Sequence, residues 1–135
     1  MKSVMPEFIR NHIRNYPLSC LCILLIWVLS LTPFFPETPL DDVEFIDKWT
    51  HVAMYGGTCV VIWAEYCRQH RTIDIEKTFF WAVLMPAAMG GLLELLQAYC
   101  TTTRSGEWLD FWADSAGAVI AALLSVSVRR LAKSR

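Results

Sequence analysis

The stretch GGLLELLQAYCTTTRSGEWLDFWADSAG, residues Gly90 to Gly117, decides the fold of this chain. It reads as two apolar helices joined by a short polar connection, with ionisable side chains in or beside segments apolar enough to lie in lipid. A charged group at membrane depth raises the free energy of insertion by roughly 2.5–3.5 kcal/mol and normally faces a helix bundle or a cavity. Function is therefore sought first at the polar residues of this stretch. These are Glu94, Gln97, Arg104, Asp110 and Asp114.

The composition of the whole chain favours a membrane protein. The 135 residues are 55% apolar and include six Trp and seven Phe, more than an ordinary soluble domain carries. Twelve Lys and Arg against thirteen Asp and Glu give a formal net charge of −1, so the chain lacks the basic excess that nucleic-acid binding uses. We expect one membrane domain over residues 1–135, with membrane lipid around it and no nucleic-acid partner.

Four apolar segments predict the architecture. The first contains no charge over eighteen residues, enough to span a ~30 Å hydrocarbon core at about 1.5 Å per residue. A cleaved signal peptide is the rival interpretation of the basic start, but the apolar run is long for one and no A-x-A site follows. We predict an all-α polytopic membrane protein, a compact bundle of four transmembrane helices at about residues 18–35, 49–66, 79–99 and 108–128.

The distribution of basic residues predicts the orientation. The amino tail, the middle connection and the carboxyl tail carry ten Lys and Arg in total, and the other two loops carry only Lys48 and Arg104. Since cytoplasmic loops are enriched in Lys and Arg, both termini should be cytoplasmic. The polar ends of the second, third and fourth segments should then gather at the outer leaflet.

In three of the segments, polar side chains spaced three or four residues apart share one helix face. On the third and fourth segments these stripes continue into small residues, which let membrane helices approach closely. The polar groups should therefore point into the bundle. The stripes are Asp47, His51 and Tyr55; Glu94 and Gln97 with Gly90; and Asp110 and Asp114 with Gly117 and Ala121.

The alternative is that these residues only assemble the helices. Asp110 lies in a first helical turn, where the helix dipole favours a carboxylate by about 0.3–1 kcal/mol, and Lys48 and Arg104 can extend to the lipid headgroups. Interhelical hydrogen bonds in membranes average only about 0.6 kcal/mol, however, which offsets little of the insertion cost of Glu94 and Asp114. A functional role is therefore favoured for those two and for His51.

The polar residues follow the pattern Asp47-Lys48-x-x-His51-x-x-x-Tyr55, Glu94-x-x-Gln97, Arg104 and Asp110-x-x-Ala113-Asp114-x-x-Gly117. Over roughly residues 18 to 128 this pattern resembles the VanZ-like membrane proteins. Members are small, multi-span bacterial proteins, and the family name comes from one associated with low-level resistance to the glycopeptide teicoplanin. The resemblance implies a multi-pass protein of the bacterial inner (cytoplasmic) membrane.

One position departs from the family pattern, which usually has Asn where this chain has Asp114. An extra carboxylate beside Asp110 and Glu94 either favours protonation of one of them, through repulsion and desolvation, or strengthens the binding of a cation. The family site therefore does not transfer unchanged at this position.

The leading hypothesis is a cell-envelope protein whose outer-leaflet polar cavity binds a lipid-linked or amphiphilic ligand and contributes to teicoplanin-type resistance. Lys48 and Arg104 would meet a phosphate or carboxylate of that ligand, Arg104 through a bidentate fork. The ligand-binding candidates are Asp47, Lys48, His51, Tyr55, Glu94, Gln97, Arg104, Asp110 and Asp114.

The alternative hypothesis is an intramembrane enzyme acting on a lipid or envelope precursor. His51, Glu94 and Asp110 or Asp114 would serve as general acid and base or as ligands of a divalent metal. No HExxH motif, phosphate loop, nucleophile elbow or Cys/His cluster is present, and the five cysteines have no metal-type spacing. The sequence thus predicts no cofactor, assigns no metal, and leaves a scaffold role and ion movement as further alternatives.

Overall fold

The computed structural model describes residues 5–32, 39–40, 42–102 and 106–134, and all regular structure within these ranges is helical. The predicted all-α fold is thereby confirmed, and each of the four predicted apolar segments lies in a helix, apart from Thr32, which follows the helix end, and residues 33–35, which fall outside the described ranges. The helices are α1 (Glu7–Asn15), α2 (Pro17–Leu31), α3 (Ile46–Gln69), α4 (Ile75–Cys100) and α5 (Trp108–Lys133).

Two of these helices, α4 and α5, are each 26 residues long and apolar enough to cross a membrane. A third span is obtained if α1 and α2, which meet at a bend of 98°, are counted as one broken helix. Helix α3 is not among these candidates, since polar residues near both of its ends lower its mean hydropathy. The described residues therefore hold two or three helices that can cross a membrane, where the sequence predicts four.

Local chemistry explains where α4 begins and how it accommodates a proline. Oδ1 of Asp74 accepts hydrogen bonds from the backbone N–H groups of Glu76 and Lys77, which caps the first turn. The segment Phe80–Leu84 is π-helical and lies directly before Pro86. Proline lacks the N–H that a regular turn needs, and a wider turn accommodates that loss. Near this proline α4 therefore changes its helix type locally and remains one continuous helix.

Helices α3 and α5 approach each other most closely, at two glycines. A Cβ built on Gly117 would lie 2.5 Å from the carbonyl oxygen of Val52, and a Cβ on Gly56 would lie 3.2 Å from the carbonyl oxygen of Gly117. Only glycine lets the two backbones meet at this separation. The small-residue stripe predicted on the last segment therefore faces α3, and Asp110, Asp114, Gly117 and Ala121 are all buried.

Large apolar side chains cover the outside of the bundle. Leu24 on α2 is 60% exposed and Leu123 on α5 is 64% exposed, and many of their neighbours are similar. Soluble monomers rarely expose apolar patches beyond a few hundred Å². The helices thus present an apolar surface of the kind that lipid surrounds, with the polar side chains turned inward.

Candidate functional site

Lys48, near the start of α3, is held by three carboxylates. Its Nζ lies 2.8 Å from Oδ2 of Asp47 and 2.6 Å from Oε2 of Glu107, and it also contacts Oδ1 of Asp110. The Lys48 side chain is only 18% exposed, so the ammonium is largely enclosed by these acidic groups. We call Asp47, Lys48, Glu107 and Asp110 the rim.

The electrostatics of the rim keep Lys48 charged. Lys48 and Asp47 precede the apolar part of α3. Burial alone lowers the pKa of Lys48, but the hydrogen-bonded carboxylates, Asp110 first, outweigh burial and raise that pKa above its ordinary value. The hydrogen bond from Lys48 lowers the pKa of Asp47. Lys48 is therefore a permanent cation at neutral pH, already neutralised by its neighbours.

Beneath the rim, a second group of side chains meets from α3, α4 and α5. A hydrogen bond of 2.7 Å joins Nδ1 of His51 to Oδ1 of Asp114, and Nε2 of His51 lies 3.7 Å from Oδ2 of Asp110 in the rim. The ring of Tyr55 is parallel to the imidazole, with centroids 6.4 Å apart. We call His51, Tyr55, Glu94 and Asp114 the inner cluster.

The inner cluster is almost closed to its surroundings. Asp114 and Tyr55 are each 1% exposed, and Glu94 is 6% exposed. Among the described residues, Oδ2 of Asp114 has no partner in the geometry of a full hydrogen bond, and the Tyr55 hydroxyl interacts only weakly with the Asp114 carboxylate. A Cβ built on Gly90 would lie 2.6 Å from this oxygen, so the glycine of α4 leaves the space that the carboxylate occupies.

Glu94 links the inner cluster to the start of α5. Its Oε2 accepts a hydrogen bond of 2.7 Å from the backbone N–H of Glu107. A cavity of about 80 Å³ lies beside it, with Glu94, Glu107 and Trp108 among its lining residues. A water molecule takes about 30 Å³ in the liquid, so this cavity has room for two or three waters.

Seven of the nine predicted ligand-binding residues come together in the rim and inner cluster. Gln97 points elsewhere: its Nε2 donates a 2.7 Å hydrogen bond to the carbonyl oxygen of Ser30 and so connects α4 to α2. Arg104 lies outside the described residues. The seven that meet are Asp47, Lys48, His51, Tyr55, Glu94, Asp110 and Asp114.

Sequence reasoning missed Glu107. This residue supplies a carboxylate to Lys48 and a backbone N–H to Glu94, and it thereby joins the rim to the inner cluster. The available signal was its place directly before α5, three residues ahead of Asp110, where an acidic side chain is favoured by the helix dipole. Glu107 belongs to the predicted polar connection between the third and fourth segments, so it was not assigned to the polar stripe of either segment.

The chain matches no protein-family model, no curated protein and no solved structure. The chemistry of the site is therefore the basis on which a function can be assigned. That chemistry consists of an imidazole fixed by a buried carboxylate, four further carboxylates nearby, and one lysine cation that is already paired. Such a site can exchange protons at His51 or attract a cationic group.

Proposed function

We propose that this chain is a VanZ-like integral membrane protein of the bacterial cell envelope that binds a lipid-linked or amphiphilic ligand at its rim and contributes to teicoplanin-type resistance. The observation that carries the proposal is the concentration of three buried carboxylates at one end of apolar helices, Glu94, Asp110 and Asp114. Helix assembly alone offsets little of their insertion cost.

We further propose that α3 is the fourth transmembrane helix, and that both termini lie on the cytoplasmic side of the inner membrane. Its 24 residues are about 36 Å long, enough for a ~30 Å core. Its polar groups are shielded because Lys48 and His51 face α5, and Glu65 faces the start of α2. The ten-to-two distribution of Lys and Arg supports the orientation.

The charge of the site favours a ligand that carries an amine or guanidinium. Rim and inner cluster together hold five carboxyl groups, and the only basic side chains among their members are Lys48 and His51. Lys48 is surrounded by acidic groups, so a phosphate approaching it would meet three carboxylates. This differs from the role in anion binding that the sequence led us to expect for Lys48.

The small cavity implies that a headgroup would rest on the rim, with its acyl chain along the apolar outer surface of the helices. Trp49 and Trp108 are 65% and 69% exposed near the rim residues. Tryptophan is enriched where a membrane meets water, which suits this position. The rim would then present Asp47 and Glu107, 62% and 49% exposed, to the ligand.

The direct test measures binding of teicoplanin, an acylated glycopeptide, to purified protein in nanodiscs, with a glycopeptide that lacks the acyl chain as the comparison ligand. We expect selective binding of teicoplanin that the double substitution Asp47→Asn and Glu107→Gln weakens about tenfold, or ~1.4 kcal/mol. The control is Glu76→Gln, an exposed carboxylate near the start of α4. Equal affinity in all three proteins, or unchanged teicoplanin susceptibility of cells producing the wild type, would refute the proposal.

A second candidate function is favoured by one contact, the hydrogen bond between His51 and Asp114. A buried carboxylate that orients an imidazole is the arrangement used for general acid–base catalysis. If the protein is an intramembrane enzyme acting on a lipid or envelope precursor, His51→Gln should abolish the resistance phenotype while teicoplanin binding is retained. Loss of both together would favour binding without catalysis.

A further inference from the structure

We infer that His51, Glu94 and Asp114 form a binding site for one divalent transition-metal ion, of the Zn²⁺ or Mn²⁺ type. One ring nitrogen of His51 and one carboxylate oxygen from each acidic residue all lie within 4.8 Å of one another. The three residues come from three different helices, α3, α4 and α5. An ion held by them would join the three helices at one point.

The ligand types and spacing suit such an ion. Imidazole and carboxylate are ligands that Zn²⁺ and Mn²⁺ accept, and bonds of about 2.0–2.2 Å to a tetrahedral ion place ligand atoms roughly 3.3 Å apart. Nδ1 of His51 and Oδ1 of Asp114 are 2.7 Å apart. An ion bound by this nitrogen and by Oδ2 of Asp114 would replace that hydrogen bond, and three protein ligands leave a fourth position for water.

An independent observation points to a cation at this place. Asp114 is 1% exposed, and its Oδ2 has no hydrogen-bond partner among the described residues. Burying a carboxylate oxygen without a partner is costly, and a coordinated ion would remove that cost. Gly90 provides the room for this oxygen, since a Cβ there would be 2.6 Å away.

The neighbouring rim supplies an outer shell. If Nδ1 of His51 binds the ion, Nε2–H faces Oδ2 of Asp110 at 3.7 Å. Metal-bound histidines usually donate their second N–H to a carboxylate or carbonyl, which fixes the ring. Asp110 is therefore placed as a positioning residue for the proposed ligand.

The rim carboxylates themselves make the poorer metal site. Asp47, Glu107 and Asp110 also bring ligand atoms within 4.8 Å of one another. However, the ammonium of Lys48 contacts all three and already supplies the positive charge between them. The inner cluster contains no ammonium group, and its one basic side chain is the imidazole of His51, which can bind an ion when it is neutral.

The test uses the whole chain in detergent, stripped of metal with a chelator and titrated with Co²⁺, Mn²⁺ or Zn²⁺ alone. We expect about one ion per chain, a rise in melting temperature with Zn²⁺, and Co²⁺ absorption without a thiolate charge-transfer band. Asp114→Asn should weaken binding at least tenfold, since even outer-shell changes cost about 10–100-fold in metal affinity. Because no lipid or glycopeptide is present, the result is separable from ligand binding at the rim.

The matched control is Glu65→Gln, which alters another buried carboxylate, hydrogen-bonded to α2 and absent from the proposed ligand set. It should leave the metal affinity unchanged. Absence of saturable binding to the wild type would overturn the inference, as would equal affinity of Asp114→Asn and wild type, or a thiolate band from Co²⁺. The wild-type titration decides the matter even if Asp114→Asn does not fold.

Discussion

Two buried carboxylates, Glu65 in α3 and Asp114 in α5, show two different uses of charge inside this apolar bundle. Glu65 is 4% exposed and accepts hydrogen bonds of 3.0, 2.9 and 2.6 Å from Leu18 N, Ser19 N and Ser19 Oγ. Asp114 is 1% exposed; its Oδ1 is joined to His51, and its Oδ2 has no hydrogen-bond partner among the described residues.

The difference separates a structural carboxylate from a candidate site carboxylate. Glu65 satisfies backbone N–H groups in the first turn of α2 that have no partner within that helix, and it places negative charge at the positive end of the helix dipole. Its two oxygens are fully used in holding α2 against α3. Asp114 retains an acceptor, Oδ2, that no described group meets in the geometry of a full hydrogen bond, and such an oxygen can bind a ligand or ion.

The largest effect is expected from Glu65→Ala. The change leaves two backbone donors and one hydroxyl at the start of α2 without their acceptor. An unsatisfied buried donor costs about 1–3 kcal/mol, so we expect a loss of about 3 kcal/mol in the free energy of unfolding. The measurement is reversible unfolding in mixed micelles.

Glu65→Gln is the control for this substitution, because it retains an acceptor oxygen and should lose about half as much. If Glu65→Ala lowers the free energy of unfolding by less than about 1 kcal/mol, Glu65 does not hold α2 in place. Glu65 would then not differ from Asp114 as a structural carboxylate.

Gly117→Ala should destabilise the packing of α3 against α5 near Asp114. The contact between Glu65 and α2 should be unaffected. The added Cβ would lie 2.5 Å from the carbonyl oxygen of Val52, so α3 and α5 must separate. Overpacking of this kind costs about 1–3 kcal/mol, and we expect about 2 kcal/mol by the same unfolding measurement, with weaker metal binding. Gly57→Ala is the matched control, since a Cβ there meets nothing within 4 Å. Equal losses from both substitutions would show that the close approach is not needed.

The faces of the helices could be predicted because they follow from helical periodicity alone. Asp110, Asp114 and Gly117 were expected on one stripe, and all three are buried between helices. The link between Gly90 and the polar stripe was also expected, and the glycine indeed makes room for Asp114. Residues three or four apart keep their relation whatever the tertiary contacts are, which is why these expectations survive in the structure.

Contacts between distant segments could not be predicted in the same way. Glu65 accepts hydrogen bonds from Leu18 and Ser19, 47 and 46 residues earlier in the chain, and Gln97 donates one to Ser30, 67 residues earlier. Nothing in a helical period specifies such partners. The helix α1 was likewise unexpected, because its polar sequence was interpreted only as a basic tail.

A smaller effect is expected from Lys48→Gln. Three carboxylates lose their shared cation, but Asp47 and Glu107 are half or more exposed, so solvent screens much of the loss and about 1–2 kcal/mol remains. Because folding raises the pKa of Lys48, its stabilisation is present below the ordinary pKa of about 10.5 and is lost only as the pH rises through the higher folded value. The stability difference between the variant and the wild type should therefore stay constant from about pH 7 to 10.

The exposed pair Lys77–Asp74, with Nζ and Oδ2 3.6 Å apart, provides the control for Lys48, and Lys77→Gln should change stability by less than about 0.5 kcal/mol. If the two lysine substitutions cost the same, the rim is an ordinary surface ion pair. That outcome would also remove the reason to treat Lys48 as unavailable to a ligand anion.

The smallest change in stability is expected from Asp114→Asn in metal-free protein. This substitution also gives the clearest contrast with Glu65. The amide keeps the shape of the carboxylate and one acceptor for His51. It also removes a buried charge that lacks a full set of partners. The free energy of unfolding should therefore change by no more than about 1 kcal/mol, in either direction. Added Zn²⁺ should then raise the melting temperature of the wild type alone, because an ion that binds only the folded chain stabilises it by mass action. A large metal-free loss, comparable with that of Glu65→Ala, would mean that Asp114 is structural after all.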